Sequence, residues 1–348
     1  MWLYLIPSLI IFFAVQVYTK SWLYVLWRTS NRDVKAAVRF IKINYYLIKW
    51  QIRNMTVPKV FKTIVDQRPH KVAFYFEDDV WTFQRVDEYS NRIANYFLGE
   101  GYQRGDSIAL LLESKPEYIC IWLGLAKVGI QTALINTNQT KNPLFHSISA
   151  ANSQAIIFGS NFVDVLKEIQ PKIDNLRKYQ FHEQESLNIP LFDNAKDLRI
   201  RLKESSAAPV TEHLEKGNLK DPFLYIYTSG TTGLPKAAVI TNVRFMVMTI
   251  GLNSMVNVQD KDCIYDSLPL YHTAGGIVGT GQALLCGATV VIRKKFSASN
   301  FWTDCVKYQC TVSYITFSFD FGYFSVHMRL ADSSIYRRNM PISSSFEQ

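Results

Sequence analysis

The sequence predicts an α/β protein of layered sheets with parallel pairing, preceded by an N-terminal helix apolar enough to cross a membrane. Three observations predict it. From Pro58 onward, short apolar runs alternate with helical patterns, the mark of strand–helix–strand units. Residues 1–19 carry no charged side chain. The decapeptide Tyr227-Thr228-Ser229-Gly230-Thr231-Thr232-Gly233-Leu234-Pro235-Lys236 stands directly behind the apolar run Phe223-Leu224-Tyr225-Ile226. Glycine lets backbone approach a phosphate, hydroxyls donate to its oxygens and lysine adds a point charge, so this segment predicts a strand feeding a phosphate-holding loop.

The N-terminal helix comes first. Residues 2–18, seventeen in all, are almost wholly apolar, and 22–27 extend the run after a single Lys20. A helix over 2–18 rises about 26 Å, and one continued to Trp27 about 39 Å. That suffices to span a hydrocarbon core with Lys20 reaching one interface. A cleaved secretory signal is disfavoured, because no Lys or Arg precedes the run and bulky residues fill the cleavage region. We therefore expect 1–27 to be a transmembrane anchor.

Net charge is +9 over 348 residues, yet residues 20–71 hold twelve Lys and Arg against two acids, Asp33 and Asp66. A nucleic-acid binder spreads its basic residues over a folded surface or groove. Here they follow an apolar span, so the expected partner is membrane lipid and not nucleic acid, and the positive-inside rule puts the body in the cytosol. The expected membrane is the endoplasmic reticulum or the plasma membrane. The sequence carries no signal for oligomeric state. On a helix, Lys35, Arg39, Lys42, Lys49 and Arg53 form one stripe. Val34, Val38, Ile41, Tyr45, Ile48 and Ile52 line one side of it, and Phe40, Ile43, Leu47 and Trp50 the other. This narrow basic ridge against a broad apolar arc defines a juxtamembrane segment, 28–57. It either lies in the headgroup layer or packs on the globular body, and periodicity leaves both open.

In the body, Thr82 is the expected N-cap of a helix carrying Phe83, Val86, Ile93 and Phe97 and ending near Gly99 or Gly101. Residues 108–112 read as a buried strand, and 117–128 as a helix stopped by Gly129. Residues 132–135, 155–158, 223–228 and 288–292 are further strands, while 190–222 read as an irregular surface excursion. The five cysteines form no CxxC pair, which predicts reduced, mostly buried thiols and no structural zinc site.

The loop at 228–236 is not a Walker A loop. Counting from Gly230, position 235 is Pro where Gly is needed, and Ala237 follows Lys236 where Ser or Thr is needed. Nor is it a G-x-G-x-x-G dinucleotide fingerprint. A plain turn between strands does not need so many hydroxyls beside a lysine.

Thr228-Ser229-Gly230-Thr231-Thr232-Gly233-Leu234-Pro235-Lys236 instead resembles the signature of the adenylate-forming, AMP-binding superfamily. Gly233-Leu234-Pro235-Lys236-Ala237-Ala238 is similar, more narrowly, to the fatty acid transport protein and very-long-chain acyl-CoA synthetase group. So are Leu268-Pro269-Leu270-Tyr271-His272-Thr273-Ala274-Gly275-Gly276, Ala133-Leu134-Ile135-Asn136-Thr137-Asn138 and Asn31-Arg32-Asp33-Val34. The resemblance runs from the N-terminus to about Thr311. It implies part of the large layered α/β domain of adenylate-forming enzymes over 58–312. It also implies a long-chain fatty acid–CoA ligase using ATP, Mg²⁺ and coenzyme A. A fatty carboxylate attacks the α-phosphate of ATP to give acyl-AMP and pyrophosphate, and the CoA thiol then displaces AMP; in this group activation is coupled to uptake.

By the same resemblance, Thr228, Ser229, Thr231 and Thr232 donate to the β/γ phosphates and Gly230 and Gly233 allow close approach. Lys236 pairs with the leaving pyrophosphate. His272 sits near the acyl entrance, and Tyr271 with Gly275 and Gly276 shapes the acyl tunnel. Lys236, Thr231 and His272 are the implied catalytic set. No metal ligand is implied. Read without the resemblance, His272 is equally a structural histidine, Asn136 and Asn138 form a turn, and Leu268-Pro269-Leu270 is core or tunnel.

The resemblance breaks beyond Val312. Family members continue with a Tyr-Gly-x-Thr-Glu motif, a ribose-binding aspartate, a hinge and a mobile C-terminal domain. This chain has no Tyr-Gly-x-Thr-Glu, and residues 313–348 form a divergent Phe- and Ser-rich tail. We therefore expect a C-terminally truncated chain lacking the mobile domain. The alternative to an active ligase is an inactive membrane-bound pseudoenzyme, or a partner of intact synthetases.

Overall fold

The computed structural model describes residues 2–183, 189–228, 233–319 and 322–329. It divides into two units, Met1–Lys49 and Trp50–Gln348. The N-terminal element is one unbroken helix, Trp2–Ile52. It runs through Trp27 without interruption, and it is the one described helix long and apolar enough to cross a membrane.

Among the described residues the body holds thirteen strands: β1 Val72–Phe76, β2 Asp79–Thr82, β3 Ser107–Leu111, β4 Gln131–Leu134, β5 Ala155–Gly159, β6 Arg177–Phe181, β7 Ala195–Asp197, β8 Pro222–Thr228, β9 Lys236–Thr241, β10 Cys263–Asp266, β11 Thr289–Ile292, β12 Val312–Phe319 and β13 Gly322–Arg329. Seven form a sheet in the order β7-β6-β5-β3-β4-β8-β9, parallel throughout except for the β8–β9 hairpin. Six form a second sheet, β13-β12-β10-β11-β1-β2, whose parallel centre is closed at each edge by an antiparallel strand. Every residue of β3 and β5 is buried. Strands covered on both faces read as continuous apolar runs, which is why the sequence shows them.

The helices follow from their caps. Thr82 Oγ1 accepts the Arg85 amide at 3.1 Å and starts Phe83–Gly99. Pro116 opens Pro116–Lys127, where its missing N–H costs nothing. Between these two helices Lys127 Nζ reaches Asp87 Oδ1 at 2.6 Å and Asn91 Oδ1 at 2.7 Å. Burial lowers the Lys127 pKa while Asp87 opposes that shift.

Two stretches hold more order than their composition suggests. Residues 190–222 contain edge strand β7 and the helices Leu198–Glu204 and Thr211–Glu215. Arg92 and Asn95, from a helix about a hundred residues earlier, satisfy the carbonyls of Ser205, Ser206 and Ala208. Long-range side-chain donors of this kind leave no local periodicity to read. Residues 312–319 and 322–329 form the antiparallel pair β12 and β13, with Val312 and Ser313 in register with Ile264 and Tyr265 of β10. An existing sheet edge templates that strand where sequence pattern does not.

Candidate active site

The β8–β9 hairpin carries the phosphate-loop motif. Thr228 ends β8, Lys236 begins β9, and their Cα atoms are paired in register. Ser229, Gly230, Thr231 and Thr232 lie outside the described residues. Gly233 has φ +82°, a left-handed conformation costly for any residue with a Cβ. Thr228, Gly233 and Lys236 are exposed. Among the described residues no carboxylate pairs with Lys236, so its charge is available to an anion. Helix Lys141–Ala150 holds both limbs of the hairpin: His146 Nε2 donates to the Pro235 carbonyl at 3.1 Å, and Tyr227 Oη donates to the Ser147 carbonyl.

The second contribution comes from the carboxyl end of β4. Because β4 pairs parallel with β8, Leu134 against Ile226, Asn136 and Asn138 leave the sheet at the same end as Thr228. Open α/β sheets bind ligands at this end. The Asn138 amide donates to Asn136 Oδ1 at 2.9 Å, the turn expected from sequence. The Asn138 side chain does something further and donates to Tyr271 Oη at 3.3 Å.

The third piece follows β10. The Leu270 amide donates to Ser114 Oγ at 3.2 Å, tying the Leu268–His272 turn to the carboxyl end of β3 in the other sheet. After His272 the chain forms a π-helical turn, Thr273–Gly279, an uncommon geometry found often at functional sites. A Cβ on Gly275 would lie 2.6 Å from the Leu268 carbonyl oxygen, and one on Gly276 would lie 2.0 Å from that of Leu270. Both glycines are thus required by the fold of the turn itself. Gly276→Ala is expected to destabilise the chain by about 1–3 kcal/mol or more, because backbone must move to admit the methyl. A lowered midpoint of thermal unfolding is the check.

The Tyr271 and His272 rings lie 4.6 Å apart at 55°. Tyr271 is buried, which raises its pKa. His272 keeps an exposed edge, yet atoms crowded round its ring desolvate it and lower its pKa, so the imidazole is neutral at neutral pH. Beneath this turn Asp266 is fully buried, and its Oδ1 accepts the Leu268 amide at 3.1 Å. Its Oδ2 has no hydrogen-bond partner among the described residues. Burial holds its pKa well above the carboxylate range. The folded chain therefore keeps a proton that the unfolded chain sheds near pH 4, and this part of the stability is lost as pH rises through the folded pKa. Asp266→Asn keeps the acceptor and removes the titration. It should match the parent near pH 4 and gain on it by roughly tenfold in folding equilibrium per pH unit above that, up to the folded pKa; denaturant midpoints across the range are the measurement.

The structure thus brings 136–138 and 268–276 into contact and places Thr228 and Lys236 at the same sheet end as the former. The Asn138–Tyr271 bond and the parts played by Ser114, His146 and Asp266 escaped sequence reasoning, since they rest on bonds or burial between distant segments. Among the described residues no group of three or more His, Cys, Asp or Glu is placed to hold a metal ion. The five cysteines are free and four are buried. A polar cleft of 790 Å³ lined by Arg85, Lys115, Glu117 and Glu183 contains none of the predicted site residues.

Comparison with known proteins bears on this geometry. The model of the AMP-binding enzyme family matches residues 61–319, beyond the Val312 limit drawn from motifs. Human long-chain fatty acid transport protein 1 is 38% identical over 305 residues, covering 86% of this chain and 47% of its own length. Mouse long-chain fatty acid transport protein 6 is 36% identical over 274 residues, covering 78% and 43%. The chain spans about half the length of the curated relatives it matches. Among solved structures, the N-terminal domain of FACL13 from Mycobacterium tuberculosis aligns with a TM-score of 0.66 at 23% identity, over 74% of this chain and 62% of that one. A fatty acyl CoA synthetase from Mycobacterium tuberculosis aligns at 0.65 and 22%, over 74% and 49%. At these identities the likeness is one of fold.

Proposed function

The chain belongs to the AMP-binding enzyme family, and from that premise we propose that it activates long- or very-long-chain fatty acids to acyl-CoA through acyl-AMP, at a membrane. The observation that carries this reading is the hairpin in which Thr228 stands opposite an exposed Lys236 with no carboxylate partner described. Adenylation brings a carboxylate up to a polyanion, so fixed positive charge and hydrogen-bond donors supply most of what a protein can add. The described residues are of the right chemistry for a phosphate tail: the Thr228 hydroxyl, the left-handed Gly233 and the Lys236 ammonium. Lys236 takes up charge as pyrophosphate leaves.

ATP supplies the adenylyl group and CoA the acceptor thiol. Mg²⁺ would enter with the nucleotide, as the described residues offer no cluster of three or more ligating side chains for it. A neutral His272 beside a buried Tyr271 gives an entrance without net charge, as an acyl chain requires. Long-chain acids suit a chain with an apolar N-terminal helix, and the fatty acid transport protein relatives support coupling to uptake. The basic excess behind the span supports a cytosolic body.

The test is fatty-acid-dependent ATP–pyrophosphate exchange by the purified chain in phospholipid vesicles. Exchange that rises with acyl length is expected. No exchange with any acid overturns the ligase reading. If ATP still binds, that result supports the alternative of an inactive nucleotide-binding partner of intact synthetases.

A further inference from the structure

The helix Trp2–Ile52 leaves one apolar face uncovered just behind the candidate span. Val34, Val38, Ile41, Tyr45, Ile48 and Ile52 recur at steps of three and four, and all six are 56–79% exposed. On the opposite flank Phe40 is 67% exposed, while Ile43, Leu47 and Trp50 are half-buried. The Val34–Ile52 side is exposed at every one of its apolar positions, the other side only at Phe40. At 100° per residue the six exposed residues fall within an arc of about 80°, and Lys42 and Lys49 lie at its border with Lys35 next to them. No Asp or Glu occurs from residue 34 to residue 65.

A polar stretch separates this segment from the span. Arg28-Thr29-Ser30-Asn31-Arg32-Asp33 interrupts two apolar stretches with residues whose side chains compete for backbone hydrogen bonds. Ser30 Oγ donates to the Trp27 carbonyl at 2.9 Å, and immersion of 34–52 beside a spanning 1–27 requires the continuous helix to turn within this stretch.

We propose that residues 34–52 bind an acidic phospholipid surface. The helix lies in the headgroup layer with the Val34–Ile52 strip immersed and Lys35, Lys42 and Lys49 directed to lipid phosphates. Immersion removes exposed apolar side chains from water. The lysine stems lie along the apolar boundary while their ammonium groups stay among the headgroups. An uninterrupted positive ridge is complementary to an anionic leaflet and has no acid to offset it. The proposal rests on the membrane-anchor reading and not on acyl activation.

The experiment places a nitroxide at Ile41 or Ile48 in the full chain. Its accessibility to a water-soluble paramagnetic relaxant is compared in vesicles of phosphatidylcholine alone and vesicles with added phosphatidylserine. Both labels are expected to be shielded when phosphatidylserine is present and to be re-exposed by high salt. Replacing Lys35, Lys42 and Lys49 together by Gln should weaken this phosphatidylserine-dependent state by roughly a hundredfold. A chain that floats with both kinds of vesicle but keeps both labels accessible overturns the proposal alone. Shielding that is equal in both vesicles, and unchanged by high salt, also overturns it. A chain that floats with neither overturns the anchor and the proposal together.

Discussion

Lys236→Ala is expected to lower fatty-acid-dependent ATP–pyrophosphate exchange by about 10²–10³-fold, the loss typical of removing one preorganised electrostatic donor. The side chain is exposed and, among the described residues, pairs with no acid. Its backbone carries the Thr228↔Lys236 register, which alanine preserves. Stability should therefore shift by less than about 0.5 kcal/mol. The two readouts separate a role in chemistry from a role in folding. Equal loss of exchange and of thermal midpoint would assign Lys236 a structural role. Lys236→Arg keeps the charge but replaces a compact ammonium by a planar fork, so only part of the rate should return.

Trp122→Ala is expected to cost about 3–5 kcal/mol, the range for deleting a large buried aromatic. Trp122 is fully buried on helix Pro116–Lys127. Its ring meets Phe223 of β8 edge-on at 5.3 Å and Phe245 of helix Asn242–Val256 at 6.0 Å, and Phe223 and Phe245 meet each other at 5.3 Å. Three elements lose a shared contact at once, and one is the strand that ends at Thr228. Thermal unfolding should fall by on the order of 10 °C. Trp122→Phe is the informative control. The indole N–H has no partner among the described residues, so phenylalanine removes an orphan donor while keeping most of the packing, and its cost should be far smaller. A Phe variant as unstable as the Ala variant would show that the indole N–H is bonded after all.

Legibility in the sequence followed the range of the interaction responsible. The Thr82 cap, the stop at Gly129 and the doubly buried strands β3 and β5 rest on neighbours or on one-dimensional pattern, and they appear where expected. The pairing of β12 with β13 and the ordered parts of 190–222 did not show, because a sheet edge and donors from distant helices organise them. In the site the same division holds. The phosphate-loop motif was readable as ten contiguous residues. The Asn138–Tyr271 bond, the Leu270–Ser114 tie and the His146–Pro235 clamp join positions 133, 156 and 89 apart.

By itself, then, the sequence determined the α/β class, the apolar N-terminal helix, the basic excess behind it and the residues of the hydroxyl- and glycine-rich loop. Composition, short-range periodicity and contiguous spacing carry all of these. Only the tertiary structure decided that Lys236 pairs with Thr228 across two antiparallel strands, that Gly275 and Gly276 are demanded by carbonyls of their own turn, and that Asp266 is fully buried, with its pKa raised, against the Leu268 amide. It also showed the Val34–Ile52 side of the basic helix exposed at each of its apolar positions. Burial, register and close approach are properties of pairs of segments, and a single strand of letters does not contain them until the chain folds back on itself.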